Sequence, residues 1–224
     1  MASGAGANAQ AGAVLFDFDG TLADTAADLA AAMNRLRTDR KLAPLGVDAV
    51  RPFASMGARG MMRVGFGLKP DDSAYPAMRD EFLRRYEENV CNETRLFPGI
   101  AELIESLKRK RVFWGIVTNK AQRFTDLIVR KLGLAPDCVV CGDSTPHLKP
   151  HPGSLLLAAE RLKLPTASCL YLGDDLRDIQ AARAAGMRPV AVEWGYTSPD
   201  NGGPATWNAD FVVRAPLDLL PHLT

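Results

Sequence analysis

Nowhere in its 224 residues does this chain carry an apolar run near the roughly 18 to 20 residues that a membrane-spanning helix needs. It also lacks a surplus of either charge. With 27 basic against 26 acidic side chains the net charge is +1, so nothing global draws it to nucleic acid or to a membrane surface. Any pull on an anion must be local. Cysteine is scarce as well: Cys91, Cys138, Cys141 and Cys169 are too few and too scattered for a disulfide framework, which predicts reduced thiols. No solenoid-period repeat occurs. The first 12 residues have neither a basic start nor a Leu-rich stretch, so 1–12 reads as a disordered tail rather than a secretory signal. These absences predict a cytoplasmic protein, monomer or homodimer, long enough for one large core and a smaller appended domain.

What is present begins at residues 14–21, Val-Leu-Phe-Asp-Phe-Asp-Gly-Thr. A continuous apolar run suits a parallel strand covered on both faces. Carboxylates at the end of such a strand lie where open α/β sheets bind ligands. Asp17 and Asp19, two residues apart, suit a divalent cation shared by the Asp17 side chain and the Asp19 backbone carbonyl. Oxygen-only ligands of this kind favour Mg²⁺. Taken alone, the same residues could cap a following helix.

Asp24 and Thr25 can cap a helix through 26–36. Residues 24–92 then stay helical, with no convincing strand, a Gly- and Met-rich turn at 53–62 and an amphipathic segment at 78–89. This reads as a small helical domain inserted between 13–23 and 93–224. From Phe97-Pro98-Gly99 onward helix and strand alternate, with strands expected at 112–117, 138–141, 168–172, 189–192 and near 211–213. That order predicts an α/β fold, a doubly wound parallel Rossmann-like sheet with right-handed crossovers.

The notable polar residues recur just past the carboxyl ends of strands: Asp17 and Asp19, then Thr118, Lys149 and Asp174. Strands of a parallel sheet share a direction, so these residues converge on one edge, which helix capping does not explain. Together they suit phosphoryl transfer, which asks for positioning and charge cancellation. Asp17 is the candidate nucleophile, forming an aspartyl-phosphate. A carboxylate approaching a phosphate needs Mg²⁺ on one side, held by Asp17, Asp19 and Asp174, and a cation on the other, Lys149. Thr118 offers a hydroxyl to a phosphoryl oxygen, and Asp19 is the candidate acid and base. Asp175 and Asp178 are expected to orient Lys149 or metal-bound water.

In order along the chain, Asp17-Phe18-Asp19-Gly20-Thr21, Thr118, Lys149-Pro150 and Gly173-Asp174-Asp175 with Asp178 resemble the four signatures of the haloacid dehalogenase superfamily. The resemblance spans residues 14–178 and implies a Mg²⁺-dependent phosphatase of a small phosphorylated metabolite, its helical insertion (24–92) being the C1 cap that closes over the site and selects substrates. It further implies that Gly20, Thr21, Asn119 and Lys120 touch substrate. Within the superfamily the chain resembles phosphoglycolate phosphatases and, through residues 95–99, 114–124 and 173–179, bacterial N-acetylmuramic acid 6-phosphate phosphatases. Both substrates carry a carboxylate, for which Arg59 on the cap is the candidate reader. A sugar phosphomutase would use the same core residues, and a phospho-ligand sensor without turnover could retain the fold. Cys138, Cys141, His147 and His151 form a C-x2-C-x5-H-x3-H string whose spacing is too short for a zinc finger. Gly57, Gly60, Gly65 and Gly67 follow no strand and make no dinucleotide fingerprint.

Overall fold

The structure, a computed structural model, describes residues 11–197 and 200–223. Six strands form one parallel sheet: β1 (Ala13–Phe16), β4 (Phe113–Val117), β5 (Cys138–Val140), β6 (Cys169–Gly173), β7 (Arg188–Val192) and β8 (Phe211–Val213). A separate antiparallel pair joins β2 (Ala23–Asp24) to β3 (Arg95–Leu96). The order across the main sheet is β5-β4-β1-β6-β7-β8, which bears out the doubly wound parallel arrangement. Helices α5 (Ile100–Arg109), α6 (Gln122–Lys131), α7 (Gly153–Leu162) and α8 (Leu176–Ala185) make the crossovers.

Burial on both faces explains the unbroken apolar strands. Along β1, Val14 and Phe16 join one core with Trp114, Ile116, Leu170 and Leu172. Ala13 and Leu15 face the other, with Val117, Cys169 and Tyr171. Period-two alternation therefore divides residues of one hydrophobic run between two cores. The sheet winds outward from β1 in opposite directions, through β4 to β5 and through β6 to β8, so the carboxyl end of β1 lies at the reversal of strand order, where open sheets bind ligands.

Between β2 and β3 lie α1 (Ala26–Asp39), α2 (Val47–Val50), α3 (Gly57–Phe66) and α4 (Tyr75–Glu88). Leu29, Met33 and Leu36 of α1 bury against Met61 and Met62 of α3 and Phe82 and Tyr86 of α4. Gly65 of α3 lies against α1 in this packing. A Cβ at Gly65 would fall 2.8 Å from Met33 Sδ, so a larger residue there would have to push the Met33 side chain aside.

Three expectations need correction. The disordered tail over 1–12 falls outside the described residues for 1–10, but Ala11 and Gly12 are fixed. Their N–H groups donate to Leu223 O (2.9 Å) and Ser168 O (2.8 Å), because backbone donors beside a buried sheet must find partners. The segment expected to hold no strand begins inside one, since Asp24 pairs with Arg95. Thr25 precedes α1, yet its hydroxyl donates to Asp19 Oδ1 (2.5 Å) instead of capping the helix. No described helix is long and apolar enough to cross a membrane.

Buried Asp28 on α1 fixes the chain as it returns toward β3. Its carboxylate accepts the backbone N–H groups of Asn92 (3.2 Å), Glu93 (3.0 Å) and Thr94 (2.9 Å), and the Thr94 hydroxyl (2.5 Å). Removing it strands several buried donors, so Asp28→Ala should cost about 3 kcal/mol in urea unfolding and Asp28→Asn distinctly less. Equal costs for the two would show that charge and hydrogen bonding do not decide this position.

Candidate active site

Asp17 continues the ladder beyond β1, its N–H donating to Leu172 O at 2.8 Å. Phe18 turns into the core, while Asp17 and Asp19 both line one cavity of about 280 Å³. A tight turn follows, in which Leu22 and Ala23 N–H groups return to Phe18 O (3.1 and 2.9 Å). Gly20 makes that turn possible. Its φ is +87°, and a Cβ there would lie 2.1 Å from Asp174 Oδ2, so neither the backbone nor the space admits a side chain.

Lys149 reaches this end of the sheet from the loop after β5 and is almost wholly buried. Its ammonium touches Asp17 (2.9 Å) and Asp178 (2.7 Å), donates to Tyr171 Oη (2.6 Å) and approaches Val117 O (3.2 Å). Burial alone would lower its pKa, but Asp17 and Asp178 outweigh that and raise it, keeping Lys149 charged. Asn119 fixes the loop: its Oδ1 accepts the Lys149 N–H (2.9 Å) and its Nδ2 donates to Lys149 O (3.2 Å).

Asp174 follows β6 and is also buried. Its carboxylate accepts the Tyr196 N–H (2.8 Å), the Ser55 hydroxyl (3.0 Å) and the Thr21 hydroxyl (3.2 Å). Burial, then the charges of Asp17 and Asp178, push its pKa well above the usual carboxylate range. Asp17, Asp174 and Asp178 each offer an oxygen within 4.8 Å of the others. Three crowded carboxylates, unfavourable as neighbouring anions, fit a hard cation with oxygen ligands. No other group of three or more His, Cys, Asp or Glu side chains among the described residues could hold one, the Cys-His string included.

The sequence-predicted residues divide. Asp17, Asp19, Thr118, Asn119, Lys120 and Lys149 line one cavity. Asp19 pairs with Lys120 Nζ (2.9 and 3.0 Å), and Thr118 Oγ1 accepts the Lys120 N–H (3.2 Å). Gly20 and Thr21, expected at the substrate, instead pack on Asp174. Asp178, expected behind the metal ligands, stands among them while also holding Lys149. Asp175 does not orient Lys149. It caps α8 through the Arg177 N–H (2.9 Å) and pairs with the Arg177 guanidinium (2.8 and 3.0 Å), which reaches Ser55 O (3.1 Å). Exposed Arg59 lines a different, smaller cavity, with Asp175 and Arg177. The cause is helical rotation: Gly57 and Ala58 face the larger cavity, and the next residue along α3 is turned by roughly 100°.

Sequence reasoning missed Tyr171, Tyr196, Ser55 and the wall of Phe82, Tyr86 and Arg123. Tyr171 did carry a signal, because a hydroxyl in an otherwise apolar buried strand needs a partner. Ser55 carried none.

A parallel α/β sheet with an acidic cluster and a paired lysine at its switch point defines a class of phosphate-handling enzyme core. Comparison with known proteins fixes the family. Residues 14–192 match the model of the haloacid dehalogenase-like hydrolases, and the chain belongs to that family. It is 42% identical over 209 residues to an N-acetylmuramic acid 6-phosphate phosphatase of Pseudomonas putida, covering 92% of this chain and 93% of that protein. It is 43% identical over 209 residues to a phosphoglycolate phosphatase of Xanthomonas campestris pv. campestris, covering 92% and 94%. A crystal structure from Haemophilus somnus, named as a predicted phosphoglycolate phosphatase, superposes with a TM-score of 0.81 at 26% identity, covering 96% and 99%.

Tyr171→Phe should lower stability by about 1–3 kcal/mol, because it removes both the acceptor at 2.6 Å from Lys149 Nζ and the phenol's donation to Val117 O (2.6 Å) in a buried site. Unchanged unfolding would show that the phenol contributes only its ring.

Proposed function

We propose that this chain hydrolyses the phosphate monoester of a small carboxylated sugar through an aspartyl-phosphate on Asp17, with N-acetylmuramic acid 6-phosphate the favoured substrate. One observation carries the reading. The Asp17–Lys149 pair sits at the base of a cavity of about 280 Å³ whose wall is apolar and aromatic, more room than a two-carbon acid phosphate requires. The P. putida relative is named for that amino sugar. The X. campestris relative, equally similar, is named for phosphoglycolate, which makes that acid the competitor to test.

Mg²⁺ fits the oxygen donors of Asp17, Asp174 and Asp178; when bound it would offset the phosphoryl charge. The chain's own residues do the rest. Lys149 holds Asp17 in place and presents positive charge to the incoming phosphate. The Asp17 carboxylate attacks phosphorus as the bond to the leaving oxygen breaks, and Asp19 gives that oxygen its proton. Asp19 then takes a proton from water, which attacks phosphorus, frees Asp17 and releases phosphate. Lys120 and Thr25 hold the Asp19 carboxylate for both steps. Thr118, in the same cavity, offers its hydroxyl to a phosphoryl oxygen. Helices α1 to α4, residues 24–92, act as a cap over the site that opens for exchange and closes to exclude water. A cytoplasmic setting belongs to the same reading, supported by four unpaired cysteines.

The test is phosphate release from N-acetylmuramic acid 6-phosphate and from phosphoglycolate, side by side, with Asp17→Asn as the blank. The amino sugar should be favoured at least a hundredfold in kcat/KM, about 2.7 kcal/mol of transition-state discrimination. The reverse preference overturns the substrate; robust turnover by Asp17→Asn overturns the nucleophile. Phosphate should appear in step with substrate loss, and an isomerised sugar phosphate in its place would mean a mutase.

Mg²⁺ at a hundred times its Kd should stabilise the protein by about 2.7 kcal/mol in thermal unfolding. In Asp174→Asn that gain should disappear. If it persists, the ion binds elsewhere.

A further inference from the structure

Two guanidinium groups line the large cavity, Arg123 on α6 and Arg177 on α8. They differ in how fully they are engaged. Arg177 is taken up by both oxygens of Asp175 and by Ser55 O. Arg123 lies over the Phe124 ring, 4.5 Å from its centroid, and meets one carboxylate, Glu87 of α4, at 3.3 Å. Both partners of that pair are substantially exposed, Arg123 at 52% and Glu87 at 40%. Exposed ion pairs of this kind contribute little, so another carboxylate can displace Glu87 readily. Arg123 also keeps its planar fork available for the two-oxygen contact that carboxylates favour.

A second feature lies on the same wall. Tyr86 of α4 is 2% exposed, and its hydroxyl makes no hydrogen bond of good geometry among the described residues, though the Lys120 ammonium lies beside it. Its ring is packed, 5.3 Å from the Phe124 ring and 6.2 Å from Phe82. Lys120 Nζ lies 4.9 Å from the ring centroid, which places Tyr86 toward the Asp19 end of the cavity. Burial pushes the phenol up to about 12, so at neutral pH it remains an O–H donor. An ammonium can only donate, so beside Lys120 the Tyr86 hydroxyl keeps its own proton for an acceptor that enters the cavity.

We propose that this wall is the specificity surface, Arg123 taking a carboxylate of the substrate and Tyr86 an uncharged oxygen of its sugar ring, while the phosphate sits at Asp17. The assignment rests on the phosphatase reading above and names the residues that recognise the acid and the sugar of its substrate. On this assignment Arg59, which lines a different cavity, is not needed to read the acid. Arg123 belongs to the core and Glu87 to the helical part, so a bound carboxylate takes Arg123 away from a contact between the two.

The experiment compares N-acetylmuramic acid 6-phosphate with N-acetylglucosamine 6-phosphate, the same sugar without the lactyl acid, in the full chain with Mg²⁺. The wild type should favour the acidic sugar at least thirtyfold in kcat/KM, and Arg123→Met should bring that ratio within about threefold of unity, chiefly through KM for the acidic sugar. Tyr86→Phe, which keeps the packed ring, should lower kcat/KM for both sugars tenfold or more. A ratio unchanged by Arg123→Met overturns the carboxylate assignment, and unchanged kcat/KM in Tyr86→Phe overturns the role of the phenol. If the wild type releases phosphate from both sugars equally, this inference fails and the phosphatase reading stands. If it releases phosphate from no phosphate monoester, the phosphatase reading itself has failed.

Discussion

An ammonium group taken out of water costs several kcal/mol unless charges and hydrogen-bond acceptors replace its hydration, and the architecture around Lys149 is organised by that cost. Its partners come from separate elements. Asp17 follows β1, Val117 ends β4, Tyr171 belongs to β6 and Asp178 to α8. They meet only if β4, β1 and β6 lie side by side, so the strand order and the buried cation require each other. The benefit is mutual. Asp17, Asp174 and Asp178 crowd together beside one buried positive charge, and a second cation would complete the balance.

The cavity divides its chemistry by position. At its base lie charges set by strand ends, with little freedom to move. Its wall is built from α4 and α6, where aromatic rings pack and Arg123 holds only the half-exposed Glu87. On the proposed reading, chemistry belongs to the strand ends and recognition to the helices, an arrangement that preserves geometry at the reacting atoms while the wall changes.

Residues that act through the backbone pattern were readable in the sequence. Asp17, Asp19, Thr118 and Asp174 each follow an apolar run, and a parallel sheet aligns the ends of such runs, so their meeting follows from strand periodicity. Lys149 followed with them because its loop leaves the same sheet edge. What could not be read depends on rotation and tertiary approach. Arg59 sits one residue beyond the part of α3 that faces the cavity, and periodicity does not fix how a short helix is rolled about its axis. Thr21 and Gly20 sit in a recognisable motif, yet whether they face substrate or Asp174 depends on how closely β1 and β6 approach. Ser55 reaches Asp174 from 119 residues away, a contact no local pattern encodes. Asp24 does meet the helix start, its Oδ1 accepting the Ala26 N–H (3.2 Å), but the two-residue strand that also holds it is too short to show alternation.

The β2–β3 pair has an evolutionary consequence. The chain leaves the sheet at Ala23–Asp24 and returns at Arg95–Leu96, and these two segments are hydrogen-bonded neighbours. Everything between them is a loop whose ends are already joined. For such a loop the closure entropy grows only with the logarithm of its length, about 0.6 kcal/mol for each doubling. Segments of quite different size can therefore occupy this position at nearly constant cost to the sheet, and a lineage can exchange one recognition element for another without refolding the centre that performs the reaction.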